Sequence, residues 1–210
     1  MIPRDRPIPH HLFLARHGQT EWNRERRLQG QLDSPLTPEG VAHAHEIARQ
    51  LEGRGIRTVC TSPLGRARRT ADIVAEHLNA DVVVVDGLAE VHHGDFAGLT
   101  WDEIDAAHPG TRAARAENRY GWMFPGGESY ATARARVGRA LEECRWAATG
   151  TPLLVAHEMI GRLLRATMRG YGHAEALALR HPHGVVFELS HDAETILTAP
   201  RPIPALPVAP

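Results

Sequence analysis

The chain has 210 residues, 42% hydrophobic, 23% charged and only 5% aromatic, enough apolar material for one globular body with a core of Ala, Val, Leu and Ile. Its 24 basic residues are all arginine, which excludes a pyridoxal-phosphate Schiff base, a phosphate-loop lysine, a kinase strand lysine and lysine-based aldolase chemistry. A net charge of −1, with Arg interleaved among Asp and Glu, offers no basic field for nucleic acid.

Residues 1–11 are rich in Pro and Arg, and the apolar run that follows, Leu12 to Ala15, is too short for a signal or membrane segment. Cys60 and Cys144 stand in no metal-ligand spacing and suit a reducing compartment, so the expectation is a cytoplasmic protein without a membrane partner. His11 to Ala15 reads as a buried strand that stops at Arg16, His17 and Gly18. Thr37, Pro38 and Glu39 form an N-cap and first turn, opening a helix with Val41, Ala44, Ala48 and Leu51 on one face before Gly53. Arg57 to Thr61 is β-prone and runs into Ser62 and Pro63, a second cap and first-turn pair, with Leu64, Ala67, Ala71, Val74 and Leu78 inward.

Val82 to Val85, an unbroken β-branched run, is expected to be a strand covered on both faces. Residues 94–127 are the least periodic stretch and collect Trp101, Tyr120, Trp122, Met123 and Phe124; they read as an insertion, with the aromatics forming either a satellite core or a substrate lid. Ser129 opens a long helix with Ala133, Val137, Ala140, Leu141 and Cys144 on one face; then come the strand Leu153 to Ala156 and a helix from about Met159 to Met168. Val185 to Leu189 and Thr195 to Thr198 read as two late strands around a turn at His191 and Asp192.

The alternation predicts a three-layer α/β/α fold with a central, mostly parallel sheet and no internal repeat. One domain is expected over 1–199, its insertion lying over the carboxyl edge of the sheet. The Pro-rich tail 200–210 would pack on the body or on a second copy, leaving a homodimer open.

Three strands end in polar residues of one kind: Arg16 and His17, Arg66, and His157. In a parallel sheet the carboxyl ends share one edge, so two guanidinium groups and two imidazoles should meet there. That set suits a phosphoryl group, because guanidinium offers paired charged donors and imidazole can attack phosphorus. The helix opening at Ser62 adds backbone donors, and Glu90, just past the Val82 to Val85 run, is placed to protonate a leaving oxygen.

The same residues carry a family resemblance. The run from Arg16 to Asn23, then Asp33, Pro35, Leu36, Thr37 and Gly40, resembles the opening signature of the histidine phosphatase superfamily, the group that includes cofactor-dependent phosphoglycerate mutases. Ser62, Pro63, Leu64, Arg66, Ala67, Thr70 and Ala71 resemble its second block. Glu90 with Gly94 and Gly98, residues 125–129, and Val155, Ala156 and His157 follow in the family order. The resemblance implies a phosphoglycerate mutase-like fold and a small phosphorylated substrate. His17 would be the nucleophile, Glu90 the acid and base, Arg16, Arg66 and His157 the phosphate pocket, and Asn23, Gln29 and Gly30 substrate contacts. No cofactor or metal is expected, since cationic side chains take the role a metal would have.

Within that superfamily the mutases carry Arg directly after the glutamate and Tyr two residues further, where this chain has Val91 and His93. They also have a longer, more basic insertion than the stretch from Trp101 to Phe124, so hydrolysis by water is expected over mutase transfer. The other class considered is an idle relative that only binds phospho-ligands. Glu158 departs from the small residue the family has after His157, and it could open the following helix or orient an imidazole. His92, His93, His181 and His183 lack a third ligand at metal spacing and read as surface histidines.

Overall fold

A computed structural model describes residues 11–197. The Pro-rich start, the tail and the end of the last expected strand lie outside the described residues. The elements in chain order are β1 (His11–Arg16), α1 (Glu21–Arg24), α2 (Pro38–Leu51), β2 (Thr58–Thr61), α3 (Gly65–Leu78), β3 (Asp81–Val84), α4 (Trp101–Ala107), α5 (Thr111–Glu117), α6 (Tyr130–Ala147), β4 (Leu153–Ala156), α7 (Glu158–Arg169), α8 (His173–Ala178), β5 (Val186–Ser190) and β6 (Glu194–Ile196).

The strands form one six-stranded sheet in the order β3-β2-β4-β1-β5-β6. The first four are mutually parallel, β5 runs antiparallel to β1, and β6 antiparallel to β5. Side chains alternate across the sheet, as the two-residue pleat demands. Leu12, Leu14, Cys60 and Leu154 enter a core with α6 and α7, while Phe13, Ala15, Val59, Leu153 and Val155 enter a second core with α2 and α3. The expected α/β/α layering and mostly parallel sheet are therefore present.

Register decides where the polar strand ends lie. Arg16 pairs with Ala156 and Thr61 with Val155, so the chain leaves β1, β4 and β2 at one level. The N–H of His17 donates to the Ala156 carbonyl at 2.9 Å, and that of Ser62 to the Val155 carbonyl at 3.2 Å. The loop after β1 is pressed against the start of α2: a Cβ on Gly18 would stand 2.1 Å from the Gly40 carbonyl oxygen, so neither position tolerates a side chain. Thr37 caps α2 as expected, its hydroxyl accepting from Gly40 N–H at 2.9 Å, and Ser129 caps α6 through Thr132 N–H at 3.1 Å.

Three expectations are corrected. Val82 to Val85 is not covered on both faces: β3 is an edge strand, Val82 and Val84 are exposed, and only Val85 is buried. A β-branched run reports pleated geometry, which an edge shares with a sheet centre. Ser62 does not cap a helix beginning at Pro63; α3 begins at Gly65. The aromatic stretch is no satellite core, since Phe96, Ile104, Tyr120 and Phe124 belong to the same core as α6 and α7. The two cysteines, by contrast, carry no disulfide, as the sequence suggested: both thiols are free, and that of Cys60 faces the Cys144 carbonyl at 3.8 Å in the same core.

Candidate active site

His17 is buried at the end of β1, and its Nδ1 lies 2.7 Å from the Gly18 carbonyl oxygen. A carbonyl can only accept, so Nδ1 carries the proton and Nε2 keeps its lone pair. Burial, followed by the charges of His157, Arg66 and Arg16, holds the His17 pKa well below its ordinary value. The ring is therefore a neutral imidazole with a defined tautomer. His157, fully buried, sits with its ring centroid 5.1 Å away. Its Nε2 meets Ser62 Oγ at 2.7 Å, and its Nδ1 is buried without a partner.

Arg66, in the first turn of α3, is held from three sides. Its Nη1 donates to the Leu32 carbonyl at 2.7 Å and to Asp33 Oδ1 at 3.1 Å, and its Nη2 to the Gly30 carbonyl at 2.8 Å. Arg16 gives Nη1 to Glu158 Oε2 at 2.8 Å. The Nε of each arginine is buried without a protein acceptor. Burial lowers both pKa values, partly offset by Glu158 and Glu90 beside Arg16 and by Glu90 and Asp33 beside Arg66; guanidinium nonetheless stays charged.

Glu90 reaches the same edge from the turn after β3. Its Oε1 accepts from the backbone N–H of Val91 at 2.9 Å and of Ile160 at 3.3 Å, and its Oε2 from Met159 N–H at 3.3 Å. The last two donors belong to the first turn of α7 and hold the carboxyl group in place. Arg136 of α6 fixes the turn that carries Glu90, donating to the carbonyls of Gly87 at 2.7 Å and Glu90 at 3.1 Å.

These groups surround a cavity of about 300 Å³. Of the site residues singled out in the sequence, Arg16, His17, Asn23, Gln29, Gly30, Arg66 and Glu90 line it, whereas His157, packed beside the His17 ring, is not in the wall. Asn23 also completes the capping box of α1, its Oδ1 accepting from the N–H of the cap residue Thr20 at 3.0 Å, and the Oε1 of Gln29 is buried without a partner. Buried polar atoms without partners are uncommon in folded proteins, and here several converge on one hollow. Arg16 Nε and Arg66 Nε present the paired cationic donors that suit a tetrahedral oxyanion, with the unpartnered His157 Nδ1 buried beside His17.

The wall also holds residues that sequence reasoning missed. Arg26, Arg115, Arg119 and Arg162 bring the lining arginines, with Arg16, Arg27 and Arg66, to seven against two carboxylates, Glu90 and Glu158. The expectation that the stretch from Trp101 to Phe124 adds no cationic contacts is thus corrected, because Arg115 and Arg119 turn into the cavity beside Trp101 and Phe124. Nothing in the local pattern marks them, since an arginine on a solvated helix face reads the same. Trp122 packs instead on Phe96 and Phe124, at centroid distances of 6.2 and 4.9 Å.

Three histidines read as surface residues are withdrawn from solvent, His181 fully and His93 and His183 in large part. His93 lies against Phe124, and burial pushes its pKa down to about 3. His181 is buried and stacks on Phe187. His183 stacks on His43, meets the His17 carbonyl with Nδ1 at 2.7 Å, and has its pKa lowered by burial to about 4. Among the described residues no group of three or more His, Cys, Asp or Glu could hold a metal ion, and no helix is long and apolar enough to cross a membrane.

Comparison with known proteins agrees with this geometry. The probable phosphoglycerate mutase GpmB of Photorhabdus laumondii is 37% identical over 166 residues, 78% of this chain and 77% of that protein. The Escherichia coli O1:K1 protein of the same name is 37% identical over 160 residues, 76% of this chain and 74% of its own. A mycobacterial glucosyl-3-phosphoglycerate phosphatase, solved with VO3, superposes with a TM-score of 0.77 at 31% identity over 89% of this chain and 96% of that one. The alpha-ribazole phosphatase of Shigella flexneri shares the fold, with a TM-score of 0.75 at 24% identity over 85% of this chain and 89% of that one. The model of branch 1 of the histidine phosphatase superfamily matches residues 12–198, and the chain belongs to that superfamily.

Proposed function

We propose that this protein is a metal-independent phosphomonoester hydrolase acting through a phosphohistidine on a small phosphorylated metabolite. The observation that carries the reading is the Nδ1 contact of His17 with the Gly18 carbonyl, which leaves Nε2 as a neutral nucleophile among cationic donors. In the first step the Nε2 lone pair forms a bond to phosphorus, the bond to the leaving oxygen breaks, and the Glu90 carboxyl gives that oxygen its proton. In the second step a water attacks phosphorus and gives a proton to Glu90; the N–P bond breaks and His17 is restored. Arg16, Arg66 and His157 stabilise the charge on the equatorial oxygens, which supplies the electrostatic part of catalysis without a metal.

Val91 and His93, where the mutases carry Arg and Tyr, favour release to water. Phosphoglycerate mutase-type transfer is the second reading, favoured by Arg115 and Arg119, which could retain an acidic substrate, and by the names of the sequence relatives. The test is purified protein with an aryl phosphate and with phosphoglycerate in the presence of a chelator. Inorganic phosphate should be released, and an acid-labile phosphoryl label should be trapped on the wild type and absent from His17→Ala. Strong phosphoglycerate interconversion with negligible phosphate release would establish the mutase instead. No label and no turnover with retained phospho-ligand binding would establish an idle relative.

A further inference from the structure

Glu158 directly follows His157 at the first position of α7, and its side chain turns into the cavity wall. The carboxylate bridges two largely buried arginines. Oε2 accepts from Arg16 Nη1 at 2.8 Å, and Oε1 accepts from Arg162 Nη2 one helical turn along. Arg16 Nη1 also reaches the His181 carbonyl at 3.4 Å, while Arg16 Nε is buried and has no acceptor. Glu158 therefore grips Arg16 by one terminal nitrogen and leaves the Nε side of the fork for a ligand.

A favourable helix-dipole charge would be obtained equally by an acid pointing to solvent, so the dipole does not explain why this one turns inward. Its position has an electrostatic consequence for any anion beside Arg16. A dianion gains from Arg16 and Arg66 and loses to the Glu158 charge, and in a partly solvated site that opposition is large enough to change an affinity.

We propose that Glu158 is a positioning residue that moderates the anion affinity of the phosphoryl pocket, so that inorganic phosphate leaves after each turnover. The inference rests on the hydrolase reading above. In such a reaction the product is itself a tetrahedral anion resembling what the pocket is built to hold, and product release commonly limits turnover. Glu158 makes and breaks no covalent bond and carries no proton in this role.

The experiment compares competitive inhibition by inorganic phosphate and by orthovanadate for the wild type, Glu158→Gln and Glu158→Asp, with Glu76→Gln, on the exposed face of α3, as control. Glu158→Gln keeps an acceptor for Arg16 and removes the charge. It should tighten both inhibition constants by about three- to tenfold and lower KM in parallel, without raising kcat, and added salt should shrink the difference. Glu158→Asp keeps the charge and should stay near wild type, as should the Glu76 variant. Unchanged or weaker inhibition in Glu158→Gln, with normal inhibition of the wild type, overturns this inference alone. So does an equal loss of kcat in the Gln and Asp variants at constant inhibition, which would mark a structural or proton-transfer role. A wild type that binds neither anion overturns the hydrolase reading and this inference together.

Discussion

The Oγ of Ser62 stands 2.7 Å from Nε2 of His157, tying the end of β2 to the end of β4 beneath the cavity. Ser62 Oγ also accepts from Leu64 N–H at 3.2 Å. With the Ser62 hydroxyl donating to Nε2, the His157 proton sits on Nδ1, the buried nitrogen without a protein partner.

Ser62→Ala should remove this orientation. The expected result is a kcat lowered about tenfold with KM for an aryl phosphate little changed, since the donor acts on the charged transition state. Leaving a buried ring nitrogen unpaired costs roughly 1–3 kcal/mol, so the melting temperature should fall by several degrees. Steady-state kinetics and a melt measure both, and an unchanged kcat would show that the hydroxyl does not orient His157.

Acid should destabilise the protein steeply. Burial holds His17, His157 and His181 well below the ordinary histidine value of 6.5, His183 near 4 and His93 near 3. Between those values and 6.5 the unfolded chain binds protons that the folded chain does not. Stability is therefore full above about pH 6.5 and is lost as pH falls from there, by up to about 1.4 kcal/mol per pH unit for each such histidine. Calorimetric melts between pH 8 and 4.5 should show this, with a shallower slope for His183→Asn; a flat profile would contradict the burial of these rings. By the same cause the acidic limb that His17 imposes on kcat/KM should lie well below the ordinary histidine value of 6.5.

Arg66 depends on Asp33 for its aim, and Gly65 depends on Asp33 for its identity. A Cβ on Gly65 would stand 2.3 Å from Asp33 Oδ2, so Gly65→Ala must displace the carboxylate that bonds Arg66 Nη1 and its backbone N–H. We expect kcat/KM to fall about tenfold, with a similar fall in Asp33→Ala and little further loss in the double variant, because the two act on one interaction. Additive losses would show that Gly65 matters for another reason.

Trp101 and Trp122 should behave differently. Trp101 lines the cavity with Arg115 centred 5.0 Å over its ring, while Trp122 packs against Phe96 and Phe124 away from the wall. Trp101→Ala should change the ratios of kcat/KM across a panel of phosphate esters. Trp122→Ala should lower the melting temperature and reduce all substrates alike, as a truncated core ring does. Altered ratios in the Trp122 variant would place that ring in substrate recognition after all.

Local signals in the chain were sufficient for much of this protein. Caps at Thr37 and Ser129 and the apolar faces of α2, α3, α6 and α7 are statements about neighbours three or four residues apart, which is why they can be read before folding. The runs around His17, Arg66, Glu90 and His157 were likewise recognisable as one cluster because each ends or follows a strand. Tertiary structure alone decided what lies between segments. Val82 to Val85 became an edge because pairing partners, not β-propensity, choose the centre of a sheet. Ser62 left its cap for His157, ninety-five residues away, and Glu158 found Arg16 across 142. Arg115, Arg119, His181 and His183 gained their surroundings only when the chain closed around the cavity. Burial and charge pairing are set by the sum of distant contacts, and a linear pattern of residue types contains no distances.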